Sequence, residues 1–518
     1  MKHLISSVIL LLLTVFISYA EDRPNIVVIM SDDMGYSDLG CFGGEIRTPN
    51  LDKLAAGGLR YTNFYSENMC WVSRASLLTG CYHRTSLYNG GLHPRCVTLP
   101  EALRSNGYST LMSGKWHLAG KSGQKPIYPN DRGFDSFYGI LGGAASFFAP
   151  HSLSRNKVNV EEEYSAKDYY FTRAMSREAV KHIDSADSGK PLFLYLTYTA
   201  AHWPLHAPEA DIAKYKGRYS MGWDKLREQR LARMKKLGVV PKDIPMSPRH
   251  PIVPAWDDEG HKAWQERRME VYAAQVTIMD EGIGQVMDAL KRTDRFKNTL
   301  IFFTIDNGGC HVEYGKDRKG SYLPEKTRDG RPMKPGNIPD LMPGPEVTYQ
   351  SYGHGWANAS NTPYRFFKQY DHEGGIHTPM IAHWPDGIDT RGAIVKSLSH
   401  LIDLMPTILD VSGTKLAKES GGGQRIELDG LSLTPTFSGD KQRGHESLFF
   451  NHAKGQAIRH GKWKLVRVKQ GKKKLWELYD IQSDPNEMNN LATQNPAKTR
   501  ELTLRWESWE KKLLAKAR

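Results

Sequence analysis

Pro24-Asn25-Ile26-Val27-Val28-Ile29-Met30-Ser31-Asp32-Asp33 decides the fold class. Five apolar residues in a row leave neither face of a strand polar. Such a run reads as a strand covered on both faces, as in a parallel sheet under helices. It stops on two adjacent acids. Leu192 to Thr197 is a second run of the same kind and leads to Ala201-His202-Trp203-Pro204. Thr299 to Ile305 is a third and again ends on oxygen donors, Asp306-Asn307-Gly308-Gly309. Helical segments lie between them. Thr48-Pro49-Asn50-Leu51 opens one, with Thr48 or Asn50 near the cap and Gly57-Gly58 beyond it, and Val271 to Leu290 has helical periodicity. The expectation is an α/β fold: a mixed, largely parallel sheet flanked by helices. Polar residues recur where strands end, which is where such sheets bind ligands.

Outward from this frame the chain changes character. Residues 205–270 are rich in Lys and Arg and carry Pro248-Arg249-His250-Pro251, which reads as a surface insertion bordering a cleft. Residues 316–355 are aperiodic and rich in Gly and Pro, a long loop over the strand ends. Gly421-Gly422-Gly423 reads as a linker. After it come short strand-like pieces, Ser447 to Asn451, Gln456 to Arg459, Trp463 to Val468 and Leu475 to Tyr479, then a polar helix from Pro496. These predict a small C-terminal antiparallel sheet with one helix. The division expected is 1–20 as a leader, 21–430 as the main domain and 431–518 as the second.

The leader has a basic start at Lys2-His3, an apolar run from Leu4 to Ile17 and a small-x-small site at Ser18-Tyr19-Ala20. That is the pattern of a secretory signal peptide. No later run is long enough to span a bilayer, so export to the periplasm or beyond is expected, without a stable membrane anchor. The chain of 518 residues carries a net charge of +13, and loss of residues 1–20 removes only Lys2. The basic residues are spread along an exported chain, which argues against nucleic acid and suits an anionic substrate such as a sulfated glycan, or generic solubility. Five cysteines, Cys41, Cys70, Cys81, Cys96 and Cys310, leave one over if the rest pair. Cys81 with Cys96 would close a short loop, and Cys41 with Cys310 is the other conceivable pair.

Asp32-Asp33 and Asp306-Asn307 are either loop caps or four hard oxygen donors for one cation. With no His or Cys pair beside them they favour Ca²⁺ or Mg²⁺ over zinc. Cys70-Trp71-Val72-Ser73-Arg74, continued by Ala75-Ser76-Leu77-Leu78-Thr79-Gly80, resembles the signature of the type I sulfatases. It departs from that family's Cys-x-Pro/Ala-x-Arg pattern at Val72. Gly114-Lys115-Trp116-His117-Leu118, Ala201-His202-Trp203-Pro204 and Lys368 followed by Glu373-Gly374-Gly375 are similar to further blocks of the family, in the same order. The likeness is strongest to the bacterial arylsulfatase branch.

The resemblance implies an alkaline-phosphatase-like fold and hydrolysis of sulfate esters. It implies that a maturation enzyme oxidises Cys70 to formylglycine, and that Asp32, Asp33, Asp306, Asn307 and residue 70 hold one divalent cation, calcium ahead of magnesium. Arg74, Lys115, His117, His202 and Lys368 are the other implied catalytic residues. Lys115 and Lys368 would meet sulfate, His117 the hydroxyl at residue 70, and His202 the departing alcohol. Glu373 reads as a structural partner. Two alternatives stand beside this one. The first is a phosphonate or phosphate ester hydrolase on the same fold. The second, resting on Val72, is a sulfated-glycan binding protein whose Cys70 stays a thiol.

Overall fold

In the computed structural model, which describes residues 23–121, 123–440, 444–453, 455–470 and 473–516, the first apolar run is strand β1 (Asn25–Ser31), buried along its whole length. The signal-peptide reading concerns residues 1–20 and lies outside the described residues. The other strands of the main sheet are β2 (Leu59–Tyr65), β3 (Ser109–Lys115), β4 (Ser136–Ile140), β5 (Leu153–Arg155), β6 (Val158–Asn159), β7 (Leu192–Thr197), β8 (Thr299–Ile305), β9 (His377–His383), β10 (Ala393–Val395) and β11 (Ser399–His400). Their order is β10-β2-β9-β8-β1-β7-β3-β4-β5-β6, with β11 also on β2. β8, β1, β7, β3 and β4 run parallel at the centre. β9 is antiparallel to both of its neighbours.

The absence of alternation in β1 has a direct cause. Val27 and Ile29 enter one apolar cluster with α3 (Phe171–Ser185) and α5 (Lys262–Arg292), while Ile26, Val28 and Met30 enter another with α2 (Cys70–Thr79) and α6 (Leu404–Ser412). Both sides of the strand leave water, and each fully buried side chain of this size contributes about 1.5–3 kcal/mol. Register then fixes the strand ends. Ser31 pairs with Ile305, so Asp32 and Asp306 emerge side by side. Met30 pairs with Thr197 and Thr197 with Gly114, which brings the ends of β7 and β3 to the same rim. Gly114 has φ +122, and a Cβ there would lie 1.9 Å from the Thr197 carbonyl oxygen. No larger residue fits between these strands without moving one of them.

The C-terminal sheet is antiparallel in chain order: β12 (Ser447–Phe450), β13 (Gln456–His460), β14 (Trp463–Gln470) and β15 (Lys473–Asp480). Leu502 and Trp506 of α7 (Pro496–Lys516) pack on Ile458, Leu465 and Leu478. The opposite face, with Leu448, Phe450 and Val466, packs on Tyr65 and Ile376 of the main body.

Three expectations are corrected. Residues 205–270 are not a surface insertion, because they contribute α4 (Gly222–Leu237) and the start of α5, and Trp223, Arg227 and Arg230 are buried. Arg230 can be interior because Asp38 and Glu45 meet it at 2.6 and 2.8 Å, so a basic composition concealed an internal ion network. Gly421-Gly422 is the turn of a small hairpin between Glu419–Ser420 and Gly423–Gln424, not a linker. The five cysteines are free thiols. Cys81 and Cys96 do share one apolar cluster. Cys41, however, stands against Asp52, whereas Cys310 stands by Asp33.

Candidate active site

Cys70 is the first residue of α2, and its thiol is buried at the rim formed by the strand ends. The helix is turned inward by its own polar residues. Ser73 Oγ donates to the Asp306 carbonyl oxygen and accepts from the Glu67 N–H at 3.1 Å. Arg74 donates to the Lys115 carbonyl oxygen at 2.9 Å and to Asp306 Oδ2 at 3.0 Å. Helix and strand ends are thereby locked together through fully buried groups.

All ten residues singled out from the sequence for catalysis or metal binding converge here. Lys115 Nζ lies 2.6 Å from Asp32 Oδ2. Lys368 Nζ lies 2.7 Å from Asp33 Oδ1 and 3.9 Å from Cys70 Sγ. His117 Nδ1 is 3.3 Å from the same sulfur. His202 Nε2 is 3.3 Å from Asp33 Oδ2, and its Nδ1, which must be the donor, meets the Trp203 carbonyl oxygen at 2.6 Å. Asn307 Nδ2 donates to Asp33 Oδ1 at 2.7 Å. Asp33 and His117 both hold left-handed backbone, φ 60 and φ 58. Each such residue costs of order 1 kcal/mol, which the surrounding packing must offset.

The electrostatics are unbalanced. Burial, then repulsion from Asp32, pushes Asp306 up to about 7. Burial would also raise Asp33, but Lys368, His202 and Lys115 hold it below the usual carboxylate range. Burial, then Lys115, keeps His117 well below its ordinary value, and burial against the pull of Asp33 holds His202 down to about 3. Both imidazoles therefore rest neutral at pH 7. Burial lifts the Cys70 thiol above its ordinary range, against the pull of Lys115 and Lys368.

Asp32 Oδ1 and Asn307 Oδ1 are buried with no hydrogen-bond partner, and Asp33 Oδ2 is approached by His202. If His202 donates from Nδ1, Nε2 and Asp33 Oδ2 present two lone pairs to each other. Asp32, Cys70 and Asp306, and separately Asp32, Asp33 and His202, offer ligand atoms that lie within 4.8 Å of one another. Buried oxygens without partners are costly unless something positive meets them. The donor set therefore fits a hard divalent cation.

A cavity of about 260 Å³ opens on this centre. Cys70, His117, His202 and Lys368 line it. Arg74 and Lys115 do not; they stand behind it, against the carboxylates. Gly143 lines it as well, and a Cβ there would lie 2.3 Å from His117 Nε2, so the imidazole occupies space that any other residue would fill. The sequence reading did not single out Trp203, Cys310, Arg318 and Tyr322 as cavity residues. Trp203 and Cys310 had a signal, their closeness to His202 and Asn307. Arg318 and Tyr322 sit in the Gly/Pro-rich stretch, where only the expectation of an overlying loop pointed to them.

The family model described as Sulfatase matches residues 24–414, and the model for the C-terminal part of N-sulphoglucosamine sulphohydrolase matches residues 363–512. An uncharacterized sulfatase of Schizosaccharomyces pombe is 33% identical, over 94% of this chain and 93% of that protein. The arylsulfatase of Klebsiella aerogenes is also 33% identical, over 80% of this chain and 92% of its own. Among solved structures, Ps i-CgsB in complex with k-i-k-neocarrahexaose superposes with a TM-score of 0.65 at 26% identity, covering 94% of this chain and 92% of that one.

Proposed function

The chain belongs to the sulfatase family and is a sulfuric ester hydrolase, and from that premise we propose that it cleaves sulfate esters of glycans using an aldehyde formed from Cys70. The observation that carries this reading is the placing of Cys70 Sγ within 3.3 Å of His117 Nδ1 and 3.9 Å of Lys368 Nζ, beside buried oxygens that lack partners. In the mature enzyme the sulfur position would belong to the hydrated formylglycine made by a maturation enzyme. That group supplies one hydroxyl to attack sulfur and a second to expel sulfate and restore the aldehyde. Asp32, Asp33, Asp306, Asn307 and residue 70 would hold one divalent cation, calcium ahead of magnesium, which supplies charge stabilisation.

The chain's own groups divide the remaining work. Lys368 faces the cavity and binds the sulfate oxygens and the ester oxygen that departs. Arg74 and Lys115 hold Asp306 and Asp32 in place. Asp306 serves as base toward the attacking hydroxyl. His117, resting neutral beside residue 70, accepts the proton of the second hydroxyl. His202 serves the departing alcohol from Nε2. Because its ring rests neutral, the proton it passes to that oxygen is taken from the Lys368 ammonium, which lines the same cavity. In this reading residues 21–430 form the catalytic domain and 431–518 the second domain, and residues 1–20 direct export.

The neighbour that binds a neocarrahexaose, an oligosaccharide, and the basic surplus of the chain both favour a glycan substrate. The test has two parts: the mass of the peptide containing Cys70 from the exported protein, and hydrolysis of an aryl sulfate beside the matching aryl phosphate. An unmodified thiol in every molecule, or a preference for the phosphate, overturns the reading.

A further inference from the structure

Arg318 lines the Cys70 cavity from the loop that follows Cys310. Its guanidinium carbon lies 5.0 Å from the ring centroids of both Trp203 and Tyr314. Its Nε donates to Tyr322 Oη at 3.2 Å. Trp203 in turn meets Tyr314 and Tyr322 at centroid distances of 5.2 and 5.4 Å. The arginine is therefore held over an aromatic wall. Elsewhere on the same loop, Arg328 is paired with Glu346 and Arg331 with Asp329. No ion pair among the described residues includes Arg318.

A guanidinium fixed by stacking keeps its two terminal nitrogens free to donate, and their fork geometry matches a sulfate or a carboxylate. Stacking also means that little side-chain freedom remains to be lost when an anion arrives. Lys368 and the two histidines already serve one sulfate in this cavity. An unpaired, pre-oriented cation in the same wall has no part in that task, and a neutral ring would leave it unanswered. We propose that Arg318, supported by Trp203 and Tyr322, forms a subsite for a second anionic group. The substrate is then a sugar that carries a further sulfate or a carboxylate beside the ester that is cut. This rests on the reading that the Cys70 cavity receives sulfated glycans.

The test measures binding by calorimetry on the full chain carrying Cys70→Ala, so that no ligand is consumed. One arm sets the 2,6-, 3,6- and 4,6-disulfates of galactose against its monosulfates. The other sets galacturonic acid 3-sulfate against galactose 3-sulfate. At least one doubly charged sugar should bind about tenfold more tightly than its singly charged counterpart. Arg318→Gln should remove that margin while changing monosulfate binding by no more than about twofold. Arg318→Lys should give an intermediate margin, because charge is kept and the stacked fork is lost. The arm that responds tells sulfate from carboxylate. The proposal is overturned if no doubly charged sugar exceeds its counterpart, if the margin survives Arg318→Gln, or if both ligands weaken equally. Failure of the sulfatase reading shows separately, as no sulfate released from any of these sugars by the matured wild-type enzyme.

Discussion

Two clusters of buried charge lie on either side of the segment from Lys368 to His377, and they are built to opposite rules. At the junction with the C-terminal sheet, Glu373 Oε1 meets Lys464 Nζ at 2.6 Å, and Oε2 meets Tyr65 Oη at 2.6 Å and His377 Nδ1 at 2.8 Å. Glu487 meets the same lysine at 2.9 Å and accepts from the Glu373 N–H at 2.8 Å. Each of these carboxylate oxygens has a donor group within 3 Å. At Cys70 the charges are equally buried, yet Asp32 Oδ1 and Asn307 Oδ1 have no partner, and Asp306 is raised to about 7. Burial of charge therefore does not mark a site by itself. What separates the proposed catalytic cluster from the structural one is buried oxygens that no donor group approaches.

The comparison can be broken in four ways. The largest effect is expected from Cys70→Ala, with turnover of an aryl sulfate falling on the order of 10⁴-fold or more and the thermal unfolding midpoint hardly moving. Loss of stability without loss of turnover would make residue 70 structural. Lys464→Met should do the reverse. Leaving Glu373 and Glu487 buried without their cation should cost about 3–5 kcal/mol of unfolding free energy, read by denaturant titration. KM for the aryl sulfate should stay as it was. Treatment with a chelator comes third. It should lower the unfolding temperature and abolish activity, with calcium restoring both. A cation present at a hundred times its dissociation constant adds about 2.7 kcal/mol. Indifference of both readouts would remove the cation from the reading.

The smallest expected effect is a slope. Burial opposes the ionisation of Glu373, but Lys464 and His377 hold its carboxyl well below the ordinary value of 4.5. A depressed acid stabilises the fold above its unfolded pKa, and that contribution drains as pH falls through the folded one. Unfolding free energy should therefore decline below about pH 4.5. The decline should be shallower in Lys464→Met, where the depression is largely relieved. An equal slope in both proteins would place the acid sensitivity elsewhere.

The residues around Cys70 were legible because they sit where the chain's strongest patterns end. A strand buried on both faces is a plain apolar run, and Asp32-Asp33 and Asp306-Asn307 close two such runs that pair in register. Lys115 ends β3, His117 comes just after it, and His202 follows β7, by the same logic. Elsewhere the pattern was local and the outcome was not. Arg230 is an interior residue only because Asp38 and Glu45 arrive from far away in the chain, so its segment read as surface. Gly421-Gly422 is a hairpin turn packed against Pro94, with no room for a Cβ at Gly421, a contact no composition announces. Arg318 had no period to betray it, since its place depends on rings supplied by Trp203, Tyr314 and Tyr322.

The position of Cys70 at the start of α2 also bears on time. From Val72 to Thr79 every residue of that helix is buried, and Cys70 itself is only 3% exposed. A maturation enzyme that reads side chains after Cys70 can grip them only before the helix docks. Docking in turn waits on the sheet, in which β1 must find β8 across more than half the chain. Pairings of such long range form late. In the proposed scheme conversion and folding are thus competitors, and the fraction of active molecules would record which of them arrived first. A substitution far from Cys70 that hastens the meeting of β1 and β8 would leave more thiol behind.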